Sequence, residues 1–301
     1  AIDFQHDGLP FDIRVSRLPG GFRASYAASA PRPYIYRFRA YLRTWLFWLN
    51  ECPPEVTGFT VNGSDGHEAS LARFAASADP RRFVLVPDPH YLRGWGFPGE
   101  ARLGTEAPPW PERAGAIIWR GATNGIGRMS FNADEQDDPT VLQRVRMIMK
   151  LAGAADCDVR FSRISDERGL WSAAMDRFGL AAAPLPAQTW LGQKFALDID
   201  GYTNTWSNLL IRMLFGCCVL KVDSQFGFRQ WYYDRIRPFE HYVPVKADMS
   251  DLAARIDWVR SHDAEARQIA AAGQAFARTL DFETVRRQAA AIITANWDKT
   301  A

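Results

Sequence analysis

Between residues 116 and 222 the chain alternates short apolar runs with longer amphipathic segments, and this alternation leaves few folds open to it. AIIWRG, DVRFSRI, KFALDIDG and CCVLKV have the length and the aromatic or β-branched content of buried strands. TVLQRVRMIMKLAG and NTWSNLLIRMLFG space their apolar residues as a helix does, and each stops at a glycine. Strands alternating with helices build a parallel sheet covered by helices, so this part predicts an α/β, Rossmann-like domain.

A second set of such elements lies upstream. YLRTWLFWLNE predicts an aromatic helix, and PPEVTGFTVNGSDG a strand running into a Gly, Ser and Asp loop. HEASLARFAAS then predicts a helix, and RRFVLVPDP a strand stopped by proline. The stretch from Gly99 to Gly115 is rich in Pro and Gly, shows neither period and is the expected linker. The division is therefore 1–112 and 113–301, two Rossmann-like domains facing across a cleft, with ligands at the carboxyl ends of the strands. SDLAARIDWVRSHDAEARQIAAAGQAFARTL predicts two scaffold helices broken near residues 261–263.

The charge balance is nearly neutral, at +2, and gives no footprint for nucleic acid. Its cations, however, are 31 Arg against 5 Lys, and Arg is the side chain that grips phosphate with two parallel hydrogen bonds. The four cysteines show no metal spacing, and Cys217 and Cys218 are adjacent inside an apolar run, which fits a reducing compartment. No run approaches the ~20 apolar residues of a membrane span, and AIDFQHDG lacks the layout of a signal peptide. The expected location is the cytoplasm, with contact to a membrane surface left open.

Two loops have the composition of phosphate cradles. In residues 194–224 a strand ends at Gly201, and a helix is expected to begin among Thr203, Asn204 and Thr205, offering free N–H groups and the positive end of its dipole. In IIWRGATNGIGR, residues 117–128, a strand enters a loop of three glycines flanked by Arg120 and Arg128. Asp198 and Asp200 could share one face and invite a Mg²⁺ or Mn²⁺ reading, but a glycine and helix start would neutralise phosphate without a cation. Lys221 either adds a point charge or simply meets solvent. Upstream, Asp65 and Asp88 each follow a strand, where either could act as a general base. The histidines form no HExxH pair, and neither GxSxG nor GxGxxG is present.

QWYYDRIRPFEHYVPVKADMSDLAARIDWVRSHD, together with LDIDGYTNTW and LLIRMLFGCCVLK, resembles glycosyltransferase family 90 from about residue 116 to 280, and more weakly from 56 to 98. The resemblance implies a GT-B fold, a UDP-sugar donor such as UDP-glucose or UDP-xylose, and inversion at the anomeric carbon without metal or other cofactor. It carries the general base to Asp65, through VNGSD, and leaves Asp88 and Trp95 as acceptor-side candidates. Donor contacts fall on Arg120, Gly121, Ala122 and Arg128, and on Gly201, Tyr202, Thr203, Asn204, Thr205, Trp206 and Ser207. Ser207 stands where animal members carry Arg, and Gln230 where they carry Glu. The DIDG and NTW wording is nearer the bacterial branch, implying a glycan acceptor such as lipopolysaccharide and a bacterial enzyme at or near the inner membrane. Two other readings stay open: a catalytically weak carbohydrate-binding protein on the same fold, and a protein O-glycosyltransferase.

Overall fold

A computed structural model describes residues 1–31, 35–164 and 170–297. The chain forms two α/β units. The first comprises Ala1–Pro98, Phe226–Tyr233 and the residues from Leu280 on, and the second Gly99–Gln225 and Asp234–Thr279.

The first unit opens with β1 (Ile2–His6), β2 (Asp12–Leu18) and β3 (Gly21–Ala27), followed by α1 (Ile35–Glu51), β4 (Gly58–Asn62), β5 (Phe74–Ala75), β6 (Ser77–Ala78), β7 (Val84–Leu85) and α2 (Pro89–Arg93). Six strands join in the order β1-β3-β2-β4-β5-β7. β4, β5 and β7 are parallel, although β5 lies inside the stretch expected as a helix, and β2 is antiparallel to both β3 and β4, so the sheet is mixed. Alternate residues Ile13 and Val15 of β2 face the core with Phe59 and Val61 of β4.

The helix expected over HEASLARFAAS does not form. The Asp12 carboxylate accepts hydrogen bonds from Ser70 Oγ and from the Leu71 amide at 3.1 Å, and Thr60 Oγ1 accepts one from the Arg73 amide at 3.1 Å. These acceptors on β2 and β4 hold the segment extended, so that Phe74 pairs with Val61. A short helix, with its unfavourable nucleus, does not compete.

In the second unit α3 (Pro98–Leu103) leads to β8 (Ile117–Ala122), α4 (Gln143–Leu151), β9 (Cys157–Arg163), α5 (Leu170–Arg177), β10 (Phe195–Asp198), α6 (Asn208–Leu214) and β11 (Cys218–Val222). The chain then supplies β12 (Arg229–Gln230) to the first unit, antiparallel to β6, and returns for β13 (Val243–Val245), α7 (Leu252–Ser261) and α8 (Asp263–Arg278). β8 pairs with β9, and β10 with β11 and β11 with β13, all in parallel. One core of Ile117, Val145, Phe161, Leu197, Leu220, Val243 and Val259 fills this unit, as expected where apolar strands are covered by helices.

Two boundaries differ from those read in the sequence. The stretch from Gly99 to Gly115 is packed into the second unit rather than serving as a linker. Trp110 is buried with its Nε1 donating to Asp263 at 3.1 Å, and a Cβ on Gly104 would sit 1.9 Å from the Leu214 carbonyl oxygen. The C-terminal helix α9 (Phe282–Asn296) belongs with the first unit. There Tyr91 donates its hydroxyl to the Leu280 carbonyl at 2.9 Å, and Arg286 pairs with Glu51. Among the described residues no helix is long and apolar enough to cross a membrane.

Candidate functional site

The parallel strands of the second unit present their carboxyl ends together, and the two expected cradles meet there. A Cβ on Gly201 would lie 3.0 Å from Asn124 Nδ2 and 3.1 Å from Arg144 Nη2, so the loop after β10 approaches the loop after β8 closely, and a side chain at 201 would make those neighbours shift. The expected helix at Thr203 to Thr205 is not there. Thr205 donates its hydroxyl to Asp198 Oδ1, Asn208 Nδ2 donates to the same oxygen at 2.9 Å, and Asn204 Nδ2 donates to Asp200 Oδ1 at 3.0 Å. The two aspartates hold residues 203–208 in an irregular loop, in which Trp206 has φ +54°. α6 begins only at Asn208, with Ser207 as its cap residue and no side-chain capping bond, and runs seven residues. No helix start is therefore presented at residues 203–205. What remains is a loop, with Thr203 and Asn204 buried and Tyr202, Thr205, Trp206 and Ser207 half-buried.

Asp198 is fully buried, and its Oδ2 has no hydrogen-bond partner among the described residues. Burial pushes the Asp200 carboxyl up to about 6, against the opposing pull of Lys221 and of hydrogen bonds with Ser224 and Asn204. Lys221 is itself buried, directly across from Asp198 in the β10–β11 register, so it does not meet solvent. Among the described residues no group of three His, Cys, Asp or Glu side chains could hold a metal ion.

The two arginines of the β8 loop have local partners. Arg120 spends its guanidinium on the β8–β9 pair: Nη1 donates to the carbonyls of Trp119 and Asp158 at 2.9 and 2.8 Å, Nη2 to Asp158 Oδ2 at 2.7 Å, and Nε to the Ala183 carbonyl at 3.2 Å. Its guanidinium is thus turned onto the β8–β9 pair. Arg128 is exposed and clasps its own loop, with Nη1 on Glu135 at 2.8 Å, Nη2 on Asp138 at 2.6 Å and Nε on Thr140 at 3.1 Å.

Sequence reasoning missed Gln143 and Arg144, at the start of α4. Arg144 is buried; its Nε donates to the Asp200 carbonyl at 2.8 Å, and its Nη1 to the Ala122 carbonyl at 3.0 Å and to Asn124 Oδ1. Desolvation brings its pKa down to about 10. Charged residues on the inner face of an otherwise apolar helix are the one signal the sequence offered.

In the first unit, β4 ends at Asn62, whose Oδ1 accepts from the Ser64 amide at 2.9 Å and from its hydroxyl at 2.7 Å. This tight turn carries Asp65, which is buried and accepts a hydrogen bond from Tyr41 at 3.3 Å. The Asp65 charge also reaches the His90 ring, whose pKa is held down mainly by burial. Asp88 is the N-cap of α2, accepting from the amides of His90 and Tyr91 at 2.8 and 3.0 Å. Burial raises its pKa, and it caps the start of α2. Past α2, Trp95 has φ +51° and is 60 % exposed, with its ring edge-on to Phe282 at 4.8 Å. Gln230 is buried in β12 of this unit.

The sequence model of glycosyl transferase family 90 matches residues 99–295. An uncharacterized protein of Invertebrate iridescent virus 6 is 28% identical over 57% of this chain and 16% of its own length. Protein O-glucosyltransferase 2 of Danio rerio is 39% identical over 29% of this chain and 17% of its own, and protein O-glucosyltransferase 3 of Homo sapiens 36% identical over the same shares. The chain thus spans about a sixth of these relatives. Among solved structures, sucrose-phosphate synthase of Thermosynechococcus elongatus aligns with a TM-score of 0.40 at 15% identity, over 65% of this chain and 48% of that one. Anabaena HepE in complex with UDP-glucose aligns with a TM-score of 0.39 at 13% identity, over 66% and 53%.

Proposed function

Because the chain belongs to glycosyltransferase family 90, we propose that it transfers glucose or xylose from UDP-glucose or UDP-xylose to a hydroxyl of a glycan, with inversion and without a metal ion. Asp65 takes the proton of the acceptor hydroxyl, the oxygen attacks the anomeric carbon, and the bond from that carbon to UDP breaks as UDP departs. The observation that carries this reading is the setting of Asp65: a buried carboxylate on a strand-end turn, braced by Tyr41 and close to His90. A general base must be held in one geometry to act, and this turn holds it. Trp95 offers an exposed aromatic face to an acceptor sugar.

The second unit binds the donor. Its loops at 122–128 and 201–207 supply backbone groups, and Arg128 supplies a guanidinium that neutralises charge on the leaving diphosphate by exchanging Glu135 and Asp138 for phosphate. Metal independence is favoured by the state of the aspartates: Asp198 and Asp200 are engaged by Thr205, Asn208 and Asn204, with the Lys221 cation beside them. A bacterial glycan acceptor completes the proposal.

Asp65→Asn tests the base. The variant is expected to bind UDP as the parent does and to lose about two to four orders of magnitude in transfer, the range general base catalysis contributes. Transfer near the parental rate assigns the base elsewhere. The same assay in excess EDTA is expected to run unchanged, and recovery that depends on added Mn²⁺ or Mg²⁺ overturns metal independence.

A further inference from the structure

The first turn of α4 reaches the ends of four parallel strands. Gln143 Nε2 donates to the Asp223 carbonyl at 3.1 Å, just beyond β11, and to the Ala247 carbonyl at 2.9 Å, just beyond β13. Arg144, its neighbour, binds the Ala122 carbonyl and Asn124 at the end of β8, and the carbonyls of Ile199 and Asp200 at 3.3 and 2.8 Å beyond β10. Its guanidinium lies 5.6 Å from the centre of the Trp119 ring. Both side chains are buried.

Packing alone does not explain this choice. All the hydrogen bonds named for Arg144 end on neutral oxygens, although burying a cation without a directly bonded carboxylate is unfavourable and an apolar side chain of similar volume would avoid that penalty. What an apolar side chain cannot do is fix the direction of peptide groups in several loops at once. Fixed peptide groups are what a strand-end ligand site requires.

We infer that Gln143 and Arg144 are positioning residues of the donor site, pinning the loops at 122–125, 199–205, 223–225 and 246–248 in the arrangement a nucleotide-sugar meets. The inference rests on the second unit being the donor-binding unit. Neither residue touches the donor; each acts through the loops it holds.

The test uses the full chain with Arg144→Lys, which keeps the charge but not the fork, and Gln143→Met, which keeps the volume but not the donors. Hydrogen exchange without ligand is expected to quicken on the order of tenfold at 122–125 and 199–205 in the first variant, and at 223–225 and 246–248 in the second, with β10 and β11 amides unchanged. Calorimetry is expected to show UDP bound about tenfold more weakly by each, and kinetics a raised donor KM with kcat within about threefold. Unchanged loop exchange or unchanged UDP affinity overturns the inference. Faster exchange throughout the unit, or unfolding of both variants, assigns the residues to general support of the fold and also overturns it. Failure of the parent protein to bind UDP refutes the donor reading itself, a result distinct from loops that loosen without loss of binding.

Discussion

Asp200→Asn is expected to make the protein more stable at neutral pH. Burial raises the folded-state pKa of this carboxyl from 3.8 to about 6, a shift of roughly two units, worth about 3 kcal/mol at 1.36 kcal/mol per unit. The sign follows from proton linkage. A carboxyl that holds its proton more tightly when folded favours folding below the unfolded pKa, and that benefit is lost as pH rises through the folded value. Above pH 7 the parent therefore carries most of the 3 kcal/mol as a penalty, and near pH 4.5 only about 1 kcal/mol of it. Asparagine has the shape of the carboxyl and an oxygen that still accepts from Asn204 Nδ2, but no charge to bury. Urea unfolding of parent and variant at pH 4.5 and pH 8 should show a stability difference about 2 kcal/mol more favourable to the variant at the higher pH. A difference that does not change with pH would mean that Lys221 and the hydrogen bonds fully compensate the buried charge, and would refute the reasoning.

Arg128→Ala should weaken UDP by about tenfold to a hundredfold, the value of a charge-assisted hydrogen bond, while uridine binds as before; calorimetry on both ligands decides, and equal losses place the phosphate elsewhere. Because its ion pairs with Glu135 and Asp138 are on the surface, the same change should leave the urea midpoint nearly unchanged. Asp88→Ala removes the α2 cap and should cost about 1 to 2 kcal/mol in an unfolding experiment, with acceptor KM raised more than donor KM as His90 loses its support.

The strands of the second unit were legible because they are buried on both faces: Ile117, Leu197 and Leu220 belong to runs too apolar to be anything else. β2 and β3 escaped notice although FDIRVSRLPGGFRASYA alternates about a glycine turn, since half of its residues are polar and only pairing with β4 gives the apolar half a core. The start of α6 was misplaced for a different reason. Thr203, Asn204 and Thr205 have capping chemistry, but Asp198 and Asp200 claim Asn204 and Thr205 from the strand end. Tyr41 and His90 became part of the Asp65 site only when α1 and α2 were placed, and Arg144 only when its carbonyl partners, 22 and 56 residues away, came within reach. Long-range acceptors of this kind leave no local pattern.

The return of α9 to the first unit has a consequence for the order in which the protein is made. During synthesis the second unit has all its residues once Thr279 has left the ribosome, whereas the first still lacks Leu280, whose carbonyl accepts from Tyr91, and α9, which supplies Arg286 to Glu51. The usual rule that the earlier-synthesised domain folds first is expected to be inverted here. Until residues 282–296 emerge, α1 lacks the helix that packs against it. A nascent chain stalled before Phe282 should accordingly give a protease-resistant second unit and a first unit that is cut.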